Sequence, residues 1–227
     1  MQTPSLRTAR IETIQKLTET VYVFTFIFLE PPDMSFQAGQ YGTFIINSTT
    51  RRQYSFCSSP KYTNSVQIVI DTKPMGPGST YFLSKQVGDT MQLLAPLGVF
   101  TLMPSPRKKV MIATGTGIAP LRSMILDCVG ISEVTLLWGL RHEEDIYWHD
   151  EFQMLEKTYP TFFYTLTLSQ PCDSWKGAKG RVGEYIQQEI APDNEYYLCG
   201  NKQVIVDVKT VLLANNVQEG QIKTELF

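Results

Sequence analysis

The periodicity of the chain changes once, and the change divides it in two. Up to Leu102 it reads as short runs rich in β-branched and aromatic residues, near 7–17, 21–29, 41–47, 52–57, 65–72 and 91–95, broken by turn residues. Six such runs predict a small antiparallel barrel, with one helical candidate over 79–86. Beyond MPSPRKK, residues 103–109, runs of strand length (VMIAT, EVTLLWG, FFYTLTL, EYYLCG) alternate with stretches of helical spacing (PLRSMILDCV, DEFQMLEKTY, VIVDVKTVLLANN). That alternation predicts an α/β domain, a parallel sheet with helices on its faces and ligands at the carboxyl ends of its strands. The prolines and basic residues of MPSPRKK mark a linker. Domains of 1–104 and 105–227 follow.

Length and composition agree with this division and exclude several classes. A chain of 227 residues holds one or two domains, and 43% hydrophobic residues with a net charge of −2 fit an ordinary globular protein, with no nucleic acid expected as a partner. The longest apolar stretch, VYVFTFIFL, is nine residues, against the roughly 20 that span a bilayer, so no membrane insertion is expected. The opening MQTPSLRTAR lacks the apolar run of a secretory signal, and the cytoplasm is the expected location. The four cysteines lie far apart with no C-x-x-C pair, and the two histidines sit in RHEEDIYWHDE, where a solvated helix face is expected. No metal centre is expected.

Three segments carry candidate chemistry. In VMIATGTGIAPLRSMI, a buried strand runs into Gly115, Thr116 and Gly117, whose sparse side chains let backbone N–H groups approach an anion, and Pro120 stands where the first turn of a helix tolerates it. Pro120 also occupies the place of the third glycine of the dinucleotide fingerprint, and the next strand ends at Gly139 with no ribose-reading acid, so a plain glycine turn competes with a phosphate site. In TTRRQYSFCSSP, strand alternation puts Arg52 and Tyr54 on one face and Ser55 on the other, with Arg51 read as an exposed edge residue. The helix start after MGPGS offers free N–H groups to a phosphate, or simply Ser79 as an N-cap.

Seven segments in order, FQAGQY, RQYS, GPGS, APLGVF, GTGIAP, LCG and the terminal ELF, resemble the ferredoxin-NADP(H) reductase family of flavoprotein reductases. The resemblance implies a six-stranded antiparallel flavin-binding barrel followed by a five-stranded parallel nucleotide-binding domain. It implies that Arg52 holds the flavin phosphate, Tyr54 stacks on the isoalloxazine ring, and the Ser55 hydroxyl bonds near N5. Gly76, Gly78 and Ser79 are then expected to cradle the flavin phosphates, and Gly115, Thr116, Gly117 and Pro120 to take the pyrophosphate of the nicotinamide nucleotide. Cys199 and Gly200 fall beside the nicotinamide ring, Glu225 is the carboxylate near the reacting atoms, and Phe227 covers the flavin face opposite Tyr54.

Hydride transfer from NADH or NADPH to FAD, with FMN the lesser candidate, is the activity so implied, and Ser55, Cys199 and Glu225 are its candidate catalytic residues. Ser169 lacks the neighbouring arginine of NADPH-selective relatives, which favours NADH, although Arg141, Lys176 and Lys179 can supply the charge. Electrons would pass to a separate acceptor: a ferredoxin, flavodoxin, cytochrome, oxygenase component or free flavin. The alternative is a non-catalytic nucleotide-binding or electron-transfer subunit of a larger complex. A monomer or weak dimer is expected.

Overall fold

The computed structural model describes residues 3–73 and 75–226. They fall into two compact units, one running to Leu102 and including Arg122–Asp127, the other formed by Met103–Leu121 and the residues from Cys128 on.

The first unit is an antiparallel barrel of β1 (Ser5–Lys16), β2 (Val21–Glu30), β3 (Tyr41–Ile45), β4 (Arg51–Ser55), β5 (Ser65–Asp71) and β6 (Thr90–Leu97). The strands lie in the order β4-β3-β6-β1-β2-β5. A bridge between Phe56 and Ile68 draws the two ends of this order together, so the barrel is nearly closed. Its sequence logic is period two: along β6, Met91, Leu93 and Ala95 are buried while Thr90, Gln92 and Leu94 face out. The interior is mainly aromatic. Phe26, Phe44 and Phe82 are each buried, and burying a side chain of this kind contributes about 1.5–3 kcal/mol.

Phe82 belongs to the short helix α1 (Pro77–Leu83). Its ring lies 5.1 Å from Phe24 and 5.6 Å from Phe44, so this buried side chain anchors the short helix in the barrel interior. The helix starts two residues earlier than the sequence pattern indicates. Its N-cap is Gly76, and Ser79 is the third helical residue, with its hydroxyl donating to the Asp71 carbonyl at 3.2 Å.

The second unit is a parallel sheet of β7 (Lys109–Thr114), β8 (Val134–Leu140), β9 (Phe162–Leu168), β10 (Ala178–Lys179), β11 (Glu195–Gly200) and β12 (Ile222–Leu226). Helices α2 (Ile118–Cys128), α3 (His149–Thr158) and α4 (Lys202–Ala214) alternate with the strands. The sheet has six strands where five were expected. The additional one, β10, is two residues long and pairs with Thr167 and Leu168, too short to leave a hydrophobic pattern. All six residues of β11 are buried, as strands covered on both faces require.

The order β10-β9-β8-β7-β11-β12 places a switch point between β7 and β11. From β7 the chain moves outward through β8 and β9, then returns to lay β11 on the other side of β7, and such a crevice is where open α/β sheets bind ligands. The expected linker contributes to the sheet itself: Lys109 starts β7 and pairs with Glu195 at the start of β11. The stretch RHEEDIYWHDE is not one helix face. A 3-10 turn over Glu143–Asp145 precedes α3, and the His149 ring nitrogen meets the Tyr164 hydroxyl at 3.1 Å. No helix among the described residues is long and apolar enough to cross a membrane.

Candidate flavin and nucleotide sites

In the first unit, β4 pairs with β3 so that Arg52 stands opposite Phe44, Tyr54 opposite Gly42 and Ser55 opposite Tyr41. The Tyr54 ring is wedged edge-on between Phe44 (5.8 Å) and Phe82 (5.3 Å). Partial burial pushes the Tyr54 phenol above its ordinary value, and the nearby Arg52 charge opposes the shift. The phenol therefore stays neutral at physiological pH. Because Phe82 anchors α1, the start of that helix comes against the same strand. A Cβ on Gly78 would lie 2.2 Å from the Tyr54 hydroxyl and 3.2 Å from Arg52 Cγ.

Arg52, Tyr54 and Gly78 thus meet in one place. Glycine at 78 is a steric requirement there, and Gly76 opens the helix without a side-chain cap. The Arg52 guanidinium is exposed and makes one hydrogen bond, at 2.8 Å, to its neighbour's carbonyl, that of Arg51. A cation, a helix start without a side-chain cap and an aromatic ring in one group fit the phosphate and ring of a flavin nucleotide. Ser55 is buried at the end of β4, next to Tyr54 in the chain.

In the second unit, Gly115–Gly117 form a 3-10 turn between β7 and α2, and Pro120 is the third residue of α2. Gly115 adopts φ +53, a left-handed conformation that favours glycine. Gly117 is required for a different reason: a Cβ there would lie 2.3 Å from the Cys199 carbonyl oxygen, so its absence lets the turn close on the end of β11. Thr114 Oγ1 accepts the Asn201 N–H at 2.8 Å, locking the β11–α4 junction to the end of β7. Asn201 in turn caps α4 by accepting from Gln203 and Val204. Two residues with no sequence signal, Trp138 and Tyr147, both donate to the Gly115 carbonyl, at 3.1 and 3.3 Å.

Cys199 lies between Ala113 of β7 and Glu225 of β12 in the parallel register. Burial pushes its thiol well above the ordinary value, and the Glu225 charge adds to the shift. The protonated thiol is a small filler and weak donor, not a nucleophile. At the next strand ends, Ser169 N donates to Leu140 O at 3.0 Å and Gln170 N to Arg141 O at 2.9 Å, so Arg141 and Ser169 are brought together. Glu143 joins them to the following loop: its Oε1 accepts from the Cys172 N–H at 2.9 Å and from the Cys172 thiol at 2.8 Å. The thiol hydrogen bond holds the Glu143 carboxyl below the usual range. Phe227 lies outside the described residues.

An oxidoreductase FAD-binding domain family matches residues 8–102 and an oxidoreductase NAD-binding domain family matches residues 111–210. Ferredoxin–NADP reductase B of Sorangium cellulosum is 29% identical over 212 residues, covering 87% of this chain and 87% of its own length. The toluate 1,2-dioxygenase electron transfer component of Pseudomonas putida is 29% identical over 226 residues, 96% of this chain and 67% of that protein. In fold, the chain is like a ferredoxin NADP+ reductase from Neisseria gonorrhoeae, with a TM-score of 0.84 at 22% identity over 97% of this chain and 98% of that one. The chain belongs to the ferredoxin-NADP(H) reductase family of flavoprotein reductases, as an NAD(P)H-dependent oxidoreductase with FAD as its flavin.

Proposed function

We propose that residues 1–104 hold FAD through Arg52, Tyr54, Ser55, Gly76, Gly78 and Ser79, and that residues 105–227 hold the nicotinamide nucleotide at the β7–β11 crevice. The meeting of Arg52, Tyr54 and Gly78 carries this reading. FAD, when bound, supplies the hydride-accepting N5 and the means of passing electrons onward. The chain's own residues bind, align and insulate. Arg52 and the start of α1 neutralise flavin phosphate, Tyr54 offers a ring set by Phe44 and Phe82, and the Ser55 hydroxyl serves the reacting edge. On the nucleotide side, Gly115, Thr116 and Gly117 present backbone to the pyrophosphate, and Pro120 sets the helix start. Cys199 and Gly200 border the nicotinamide, and Glu225, beside Cys199 in register, biases the charge there. The role over the flavin face expected for Phe227 rests on the family resemblance.

NADH is the proposed donor. Arg141 and Ser169 stand at the strand ends where an adenosine ribose is read, but the Glu143 carboxylate, two residues after Arg141, is ionised at neutral pH and disfavours a 2′-phosphate. The proposed acceptor is a separate redox protein, in line with relatives named as a ferredoxin–NADP reductase and as an electron transfer component. The four cysteines, none of them in a disulfide, suit a reducing compartment such as the cytoplasm.

Anaerobic titration of the purified protein with NADH tests the reading. Bleaching of a bound FAD followed by turnover with ferricyanide is expected. Colourless protein that fails to take up added FAD would sink the reading.

A further inference from the structure

We infer that Trp138 and Tyr147 are positioning residues for the nucleotide pyrophosphate: they clamp the Gly115 carbonyl and thereby aim the Thr116 N–H. The inference rests on the nucleotide-binding reading of Gly115–Gly117.

Three donors converge on this one oxygen. The Trp138 indole N–H reaches it from β8 at 3.1 Å, the Tyr147 hydroxyl reaches it from the segment before α3 at 3.3 Å, and the Ile118 N–H closes the 3-10 turn onto it. Both rings are buried, and they meet edge-on at 4.9 Å. Phe152 of α3 packs on Trp138 at 5.9 Å, so the indole is held from a third element. A buried Trp or Tyr needs some partner for its polar end, and one such bond would call for no further account. Here two side chains from separate segments choose the same carbonyl, in a turn whose other side is open: a Cβ on Gly115 would meet nothing within 4 Å.

The physical consequence follows from the planarity of the peptide. In a trans peptide the C=O and the next N–H point in opposite directions, so fixing the Gly115 oxygen fixes the Thr116 N–H on the side away from the two rings. Gly115 sits at φ +53 with no side chain to restrict its backbone, so the plane it shares with Thr116 can rotate at little cost. The clamp removes that freedom before the nucleotide arrives. Hydrogen bonds into the carbonyl also polarise the same peptide, which makes its N–H a better donor to phosphate.

Tyr147→Phe and Trp138→Phe remove one hydrogen bond each while keeping a ring in place. Each is expected to raise KM for NADH roughly three- to tenfold, with kcat moving less than twofold, since one hydrogen bond is at stake. The inhibition constant of ADP-ribose, which carries the pyrophosphate, is expected to rise in parallel. KM and ADP-ribose inhibition within twofold of wild type in both variants would overturn the inference. So would a loss that appears in melting temperature and flavin content but not in KM. Wild-type protein that fails to bind ADP-ribose would instead defeat the underlying nucleotide reading, so the two failures are distinguishable.

Discussion

Gly78 lies so close to Tyr54 that a Cβ on it would stand 2.2 Å from the tyrosine hydroxyl. The helix start and the strand therefore approach one another only because residue 78 has no side chain. Gly78→Ala forces the Tyr54 ring to move, and that ring is wedged between Phe44 and Phe82. Relieving such a clash costs about 1–3 kcal/mol, and the displacement falls on the group offered to the flavin. Titration of apoprotein with FAD is expected to show affinity reduced roughly tenfold or more. Affinity equal to wild type would separate Gly78 from the flavin site.

The two adjacent arginines are expected to behave differently. Arg52 shares a strand face with Tyr54 and brings its Cγ within 3.2 Å of a Cβ built on Gly78, whereas Arg51 faces the other way. Arg52→Ala removes a charge-assisted bond worth about 1.5–3 kcal/mol, a loss of roughly ten- to a hundredfold in FAD affinity. Arg52→Lys restores the charge but not the planar fork, and recovers only part of it. Arg51→Ala changes stability and flavin binding by no more than about 0.5 kcal/mol. Equal losses from Arg51→Ala and Arg52→Ala would contradict the assignment.

What could be read in the sequence was what repeats or stands close in the chain. Period-two alternation in segments such as β6 located the barrel strands within a few residues, and Gly115–Gly117 after a buried run located the turn at the switch point. The reasons behind the site residues lie elsewhere. Gly117 is needed because of Cys199, and Gly115 is held by Trp138 and Tyr147, contacts that join residues far apart in sequence and leave no spacing to detect. Lys109 looked like part of a basic linker because the sequence does not show that Glu195 will neutralise it. The extra strand β10 was invisible for want of length.

That ion pair carries its own prediction. Lys109 Nζ lies 2.6 Å from Glu195 Oε2, both side chains are buried, and the carboxylate also accepts from Ser105 and from the Tyr197 hydroxyl. Tyr197 completes the network by accepting the Met103 N–H at 2.8 Å. Glu195→Ala strands a buried ammonium group, and removing one partner of a buried pair costs about 3–5 kcal/mol. For a chain of this size the melting temperature is expected to fall by roughly 6 to 20 °C. A fall of under about 2 °C would show that the ammonium finds water or another partner.

Glu143 offers a test of nucleotide choice. Its carboxylate stands two residues after Arg141, in the 3-10 turn that follows β8, and the Cys172 thiol hydrogen bond lowers its proton affinity further. Glu143→Gln retains an oxygen for the Cys172 N–H while removing the charge that opposes a 2′-phosphate. The ratio of kcat/KM for NADPH to that for NADH is expected to rise about fivefold, the scale of one solvent-exposed charge contact. An unchanged ratio would move the determinant to Arg141 or to the lysines that follow.

Cys199 connects the site to alkaline stability, and the sign can be worked out from its surroundings. Burial, reinforced by Glu225, raises the thiol well above its ordinary value of 9.0. Below that value the thiol is protonated in both the folded and unfolded chains, so it contributes nothing to pH dependence. Above it, the unfolded chain releases the proton while the folded chain keeps it. The folded state then binds more protons, and stability falls as pH rises. The buried phenols of Tyr164 and Tyr197, also shifted upward by burial, act in the same direction from their ordinary value of 10.0. Denaturant unfolding is therefore expected to show stability lower at pH 10 than at pH 8. Cys199→Ala should flatten the first part of that fall, because the group that begins it is gone. The same burial predicts that iodoacetamide at pH 8 modifies exposed Cys172 and spares Cys199 in the folded protein. Rapid alkylation of Cys199 would mean that its thiolate forms in the native state, and the role of small filler beside the nicotinamide would give way to a reactive one.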